Sequence, residues 1–189
     1  MGSHFQSRTD AKSRTDAKLR YAGVHLEEIR PLDDVGLAGD FGRAHAESVL
    51  FHLIGAKDYF LQEINIAYRL GLSLKEVGEG TLREELGKKG LESPELTAIV
   101  ELEINKTSWL AQAIELRNHG THRSNIPLRF YKGGEDNGRV FFQNPLTEQR
   151  VEPDILEFLN QCLENMTGLL QRLRVTLPQE PTDSIYLEV

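Results

Sequence analysis

One stretch near the C-terminal end of the sequence admits a single reading. Ile155, Leu159, Cys162, Met166, Leu169 and Leu173 follow one another at alternating intervals of four and three residues. That spacing returns each side chain to the same face of a 3.6-residue helix. Asp154 stands where an N-cap belongs, and Glu157, three residues on, gives the start a capping-box character. A helix with one continuous apolar face has to bury it against other helices, so the expected fold is mainly α: an up-and-down helical bundle.

Two more long helices are expected to build that bundle. From Asp40, read as an N-cap, Val49, Leu53, Ala56, Phe60, Ile64 and Ala67 recur at helical spacing, with Gly71 as the stop. Leu50, Ile54 and Leu61 form a second apolar row, which predicts contact with more than one neighbour. A further helix begins near Ser93, with Pro94 at its first position, where a missing N–H costs nothing. Its stripe of Leu96, Val100, Thr107, Leu110 and Ile114 is expected to run unbroken to His119, with Gly120 closing it in the left-handed conformation. Between these two helices the polar, glycine-rich segment holds at most a short helix around Leu82 to Leu86.

Leu128–Lys132 and Arg139–Gln143 are β-prone runs flanking the turn-formers Gly133–Gly138, which predicts a β-hairpin inserted before the last helix. A hairpin alone is marginal in water, so it is expected to pack on the helices or gain a strand from residues 184–189. The hexamer at 7–12 repeats at 13–18 without an apolar period, which reads as a tail or a short polar helix, and Leu19–Gly39 contains Pro31 and several turn-formers and reads as a loop. The expected organisation is a polar N-terminal tail (1–22), a bundle (23–176) carrying the hairpin (127–144), and a C-terminal tail (177–189).

Cys162 is the single cysteine, so an internal disulfide is excluded. No apolar run reaches the roughly 18 residues of a membrane span, and no signal-peptide pattern opens the sequence. A cytoplasmic protein without a membrane anchor is the expectation. A formal net charge of −7 argues against nonspecific coating of nucleic acid. Between Asn105 and Lys132, however, five basic residues face one acidic residue, and a local basic patch on an acidic body still attracts an anion.

The densest polar constellation is Glu115-Leu-Arg-Asn-His-Gly-Thr-His-Arg123. Arg117 lies seven residues after Leu110, within about 20° of the same helical direction, so it follows the apolar stripe. An inward guanidinium requires an acceptor. Either it pairs with an internal acid, Glu63 or Glu101, or it lines a cleft and awaits a phosphate, which its planar fork suits. His122, expected just past the helix end, titrates near neutrality and suits proton transfer beside a bound anion.

Arg117-Asn118-His119-Gly120-Thr121-His122 resembles the R-x4–6-H signature of HEPN proteins, many of which are metal-independent ribonucleases or toxins. A second match, Arg20-x4-His25, falls in the segment read as nonhelical and is set aside. The resemblance spans the motif and the bundle, about residues 40 to 176. It implies that His122 moves a proton during attack by a ribose 2′-hydroxyl, that Arg117 stabilises the developing charge, and that Asn118 orients one of them. Arg123, Arg129 and Lys132 are implied holders of flanking phosphates. It further implies a homodimer with both motifs on one cleft, an RNA substrate, no cofactor and no metal, and an antitoxin-like protein partner.

Two rival readings carry their own residues. His45, His52 and Glu63 lie on one edge of the first long helix, where bundles build metal sites, yet no His-x-x-x-His or Glu-x-x-His pair occurs. A non-catalytic bundle that binds a protein partner or a nucleotide is the other. Phe130, Tyr131, Phe141 and Phe142 are read as docking the hairpin, with base stacking as their alternative use, and Trp109 and Phe158 are read as core.

Overall fold

The computed structural model describes residues 7–122 and 125–179, with His122 represented by its backbone. It is a bundle of seven helices with one two-stranded antiparallel sheet: α1 (Arg8–Ile29), α2 (Asp34–Ala38), α3 (Asp40–Ala67), α4 (Glu79–Lys88), α5 (Pro94–Ile104), α6 (Trp109–His122), β1 (Leu128–Phe130), β2 (Val140–Phe142) and α7 (Ile155–Thr176). The expected fold class is therefore the observed one.

Helix α3 is the axis. Val49, Leu50, Leu53, Ile54, Ala56, Phe60, Leu61 and Ile64 are all buried, because the two apolar rows face different neighbours: α1 along most of its length, α6 and α7 elsewhere. Helix α7 contributes Ile155, Leu159, Cys162 and Met166, each at most 1 % exposed, and Asp154 caps it by accepting from the Glu157 N–H at 3.1 Å. Burial pushes the Cys162 thiol well above its ordinary range, which leaves it an inert core residue.

The N-terminal segment is not a tail. Residues 8–29 form α1, started by a reciprocal capping box between Ser7 and Asp10, and packed along α3 through Ala11, Thr15, Ala22, Leu26 and Ile29. The hexamer repeat concealed this. Six residues advance a helix by 600°, so the two copies point in different directions: Thr9 is exposed, and Thr15 is fully buried.

The long helix expected from Ser93 to His119 is two helices. Ser93 caps α5 as expected, accepting from Leu96 N–H at 3.1 Å. The chain then leaves the helix at Asn105, whose side chain accepts from the Thr107 N–H, and Ser108 restarts it by accepting from Ala111 N–H at 3.0 Å. Asparagine, threonine and serine each offer the backbone a competing acceptor, and together they outweigh the apolar period. Gly120 does not stop α6, which continues to His122. The glycine is needed for close approach: a Cβ there would sit 3.0 Å from Ile126 Cγ1.

The hairpin pairs Leu128 with Phe142 and Phe130 with Val140, a little shorter than expected. Phe142 is fully buried and meets Phe158 edge-on, so it docks the hairpin on α7 as anticipated; Phe141 is buried beneath Tyr131, Arg139 and Arg150 instead, and Phe130, expected to dock, stays exposed. Trp109 packs partly buried against the core, and Phe158 is 2 % exposed within it. The strand expected from residues 184–189 lies outside the described residues; a bridge between Gln143 and Arg150 extends the sheet instead.

A buried ion cluster locks α1, α3 and α7 together. Glu63, 1 % exposed, accepts both arms of Arg174 at 2.8 and 2.9 Å and the Thr15 hydroxyl at 2.7 Å, while Arg174 also reaches Asp16 at 2.7 Å. Burial works against the Asp16 charge, but Lys12 and Arg174 outweigh it and hold the carboxyl below its ordinary range. Removing one partner of such a pair strands the other. Arg174→Met is expected to cost about 3–5 kcal/mol in urea unfolding, whereas Arg172→Met, on the exposed side of α7, stays within about 0.5 kcal/mol. Equal stability of the two variants would contradict this role for the cluster.

Candidate functional site

The sequence left two destinations for Arg117, and the first is already taken. Glu63 is saturated by Arg174 and Thr15, and Glu101 is exposed on α5, away from the crevice that Arg117 lines. Arg117 is half-buried beside Leu110, Ala113 and Leu116, the core face of α6. Among the described residues no carboxylate lies within ion-pair distance of it, and its Nε is buried without a hydrogen-bond partner.

That guanidinium lines a crevice of about 240 Å³ together with Ala44, Glu47, Ser48, Phe51, Gly120, Thr121 and Ile126. Helix α3 supplies one wall and the end of α6 the other. Phe51 and Thr121 at the rim are exposed, so the crevice opens to solvent. Glu47 is the one acid among its lining residues, and it is engaged in accepting the Ile126 N–H at 3.0 Å. It thereby pins the chain after α6 against Gly120. A small opening with a cation short of acceptors suits an anionic group.

The remaining residues singled out from the sequence do not all converge there. Asn118 is exposed and does not line the crevice. His122 was expected past a helix stop; instead its backbone is helical, five positions after Arg117, which sets the two Cα directions about 140° apart around α6. Arg123 lies outside the described residues. Arg129 and Lys132 are exposed on the hairpin, where Lys132 Nζ sits 5.9 Å from the Phe130 ring centroid, and neither lines the crevice. The other hairpin cations are committed to structure: Arg139 pairs with Asp154, Arg150 pairs with Asp136, and both stack on Phe141.

A second feature was only partly visible in the sequence, which placed His45 and His52 on one helix edge and missed their partner on α1. His25 of α1 meets His45 and His52 of α3, with Nδ1 of His25 and His45 3.1 Å apart and the His25 and His52 rings stacked at 5.4 Å. Phe41 packs on His45 at 4.3 Å, and Tyr21 and Phe51 flank His52 at 5.4 and 5.5 Å. Reading α1 as helical would have exposed the pattern, since Tyr21 and His25 share a face at spacing four, as do Phe41, His45, Ser48 and His52 at four, three and four. The Arg20–His25 match was set aside as nonhelical; it lies within α1. Among the described residues no group of three histidine, cysteine or acidic side chains is placed to hold a metal ion.

A larger depression of about 970 Å³ lies between α4 and α5, with Arg83, Glu92 and Glu101 among its lining residues. None of its lining side chains is a buried polar group lacking a partner, so the smaller crevice is the stronger candidate. No protein-family model, curated protein or solved structure matches the chain. Among the described residues no helix is long and apolar enough to cross a membrane.

The histidine seam carries a pH dependence. Burial lowers the proton affinity of His25, and neighbouring His45 lowers it further against the opposing pull of Glu28. For His52 burial again leads, followed by Lys18 and His25. Both rings are less basic folded than unfolded, so their contribution to stability is present above the ordinary histidine range and is lost as pH falls through the lowered values. Melting temperature is expected to fall between pH 7.5 and 5.0, and to fall less in the double variant His25→Asn, His52→Asn. Identical pH slopes would contradict the assignment.

Proposed function

We propose that the Arg117 crevice binds a phosphate of RNA, and that the protein is an RNA-binding protein of HEPN-like type with metal-independent cleavage as its associated activity. The observation that carries the reading is the buried Arg117 Nε, without an acceptor, in a crevice that solvent enters. A guanidinium in such a place gains most from a ligand that brings oxygen acceptors in a planar, two-pronged arrangement, and a phosphodiester does so. The restricted volume suits one phosphate or one base better than a whole small-molecule ligand, whose pockets run to roughly 300–1,000 Å³.

In the cleavage reaction the 2′-oxygen attacks phosphorus as the P–O5′ bond breaks; Arg117 balances charge on the phosphorane-like state, and His122 takes the 2′-hydroxyl proton, which goes on to the departing 5′-oxygen. The helical placement of His122 makes this the more demanding half of the proposal. The two residues have to meet at one phosphate across the end of α6, or one copy supplies the arginine and a second copy the histidine. A homodimer of that kind, an antitoxin-like protein partner and a cytoplasmic setting belong to the same proposal. The competing reading, a non-catalytic bundle that binds a nucleotide through Arg117 alone, is favoured by the exposed, outlying position of Asn118.

A fluorescent single-stranded RNA, followed by anisotropy and by gel in the presence of a chelator, separates these readings. Arg117→Ala is expected to weaken binding about tenfold or more and to abolish cleavage. His122→Ala is expected to leave binding intact and abolish cleavage. Binding without cleavage in the wild type leaves the non-catalytic reading; wild-type affinity in Arg117→Ala removes the site.

A further inference from the structure

The ring-lined seam of α1 and α3 runs out of the Arg117 crevice, and the two share a residue. Phe51 lines the crevice with Arg117 and also flanks His52 in the ring series. His52 in turn meets both Tyr21 and His25, and His25 leads through His45 to Phe41, with ring centroids 4.3 to 5.5 Å apart in each of these pairs. The three non-histidine rings are far from buried: Phe51 is 50 %, Tyr21 54 % and Phe41 54 % exposed. A bundle has no packing reason to place three large aromatic residues on its wet side, at a seam whose core positions are already filled by Ala22, Leu26, Val49 and Leu53.

Cations border these rings. Lys18 Nζ lies 4.7 Å from the Phe51 ring centroid and 3.4 Å from His52 Nδ1, and Arg117 lines the crevice that Phe51 also borders. We infer that this seam is a base-stacking track for single-stranded RNA, on which the strand leaves the phosphate held by Arg117 and lays its first base on Phe51 and the next towards Tyr21. The inference rests on the proposed phosphate site and names the substrate form that site takes. Exposed aromatic faces alternating with cations are what unpaired strands bind, since every base offers a π face and every linkage a charge. A duplex keeps its bases stacked on each other and offers these rings nothing.

The test uses 12-residue oligouridine, 12-residue oligoadenine and a 12-base-pair duplex RNA, labelled with fluorescein, with chelator present throughout. Phe51→Leu and Tyr21→Leu keep apolar bulk at exposed positions and remove the flat face, and unchanged melting temperatures check their folding. The expected result is tighter binding of oligoadenine than oligouridine, because purines stack more strongly. Weak binding of the duplex is expected, with a loss of about tenfold in Phe51→Leu and a larger loss in the double variant. Arg117→Ala separates the two levels of the proposal. If it loses affinity while Phe51→Leu and Tyr21→Leu bind as wild type, the track is wrong and the phosphate site stands. If no variant changes binding, or no strand binds, both fall. If the leucine variants convert a dimer to a monomer by light scattering without changing RNA affinity, the seam is a contact between copies and the track is overturned.

Discussion

Glu63 holds the molecule's geometry. It is a carboxylate almost sealed from water, near the C-terminal end of the central helix, and it is tolerable there only because Arg174 meets it with both arms and Thr15 adds a third hydrogen bond. The partners arrive from opposite ends of the sequence, so the first and last long helices must both be in register before the charge is matched. A second cluster works the same way on the far side. Lys57, buried on α3, reaches Glu79 of α4 and Glu103 of α5. Burial disfavours its charge, but the two glutamates outweigh that and raise its proton affinity. Apolar burial makes the bundle compact, and these ion clusters oppose sliding of one helix along another.

Arg117 and Arg43 depart from this logic, each with a buried Nε that lacks a partner, and of the two Arg117 lines the crevice. Arg174, Arg139 and Arg150 are each matched by acids supplied within the fold. Arg117 sits beside the core face of α6 with a buried nitrogen and no matching acid among the described residues. Glu47, the acid in the same crevice, makes no ion pair with it and uses Oε1 to fix Ile126 over Gly120.

How much of this was readable in the sequence follows from which physical term dominated each segment. Helices α3 and α7 and the hairpin were legible because apolar period and turn chemistry agreed. The break at 105–108 was not, since the period of α5 and α6 runs through it and local side-chain acceptors decide the outcome. Helix α1 was hidden by a repeat whose length is out of step with the helical turn, and with it went the histidine and aromatic seam that needs both α1 and α3 to be seen. For Arg117, helical angle alone gave its half-buried position; whether an acid met it depended on where along α3 it docks, beside Glu47 and Phe51 and roughly 24 Å of helix from Glu63, which no local pattern encodes.

The central claim is that Arg117, unlike Arg174, waits for an external anion. Nitrogen-15 spectroscopy of the arginine Nε–H groups during titration with uridine 3′-monophosphate tests it directly, with the two signals assigned by Arg117→Lys and Arg174→Lys. The account predicts that the Arg117 resonance moves saturably while that of Arg174 stays in place. A stationary Arg117 signal at phosphate concentrations that saturate ordinary anion sites would contradict it.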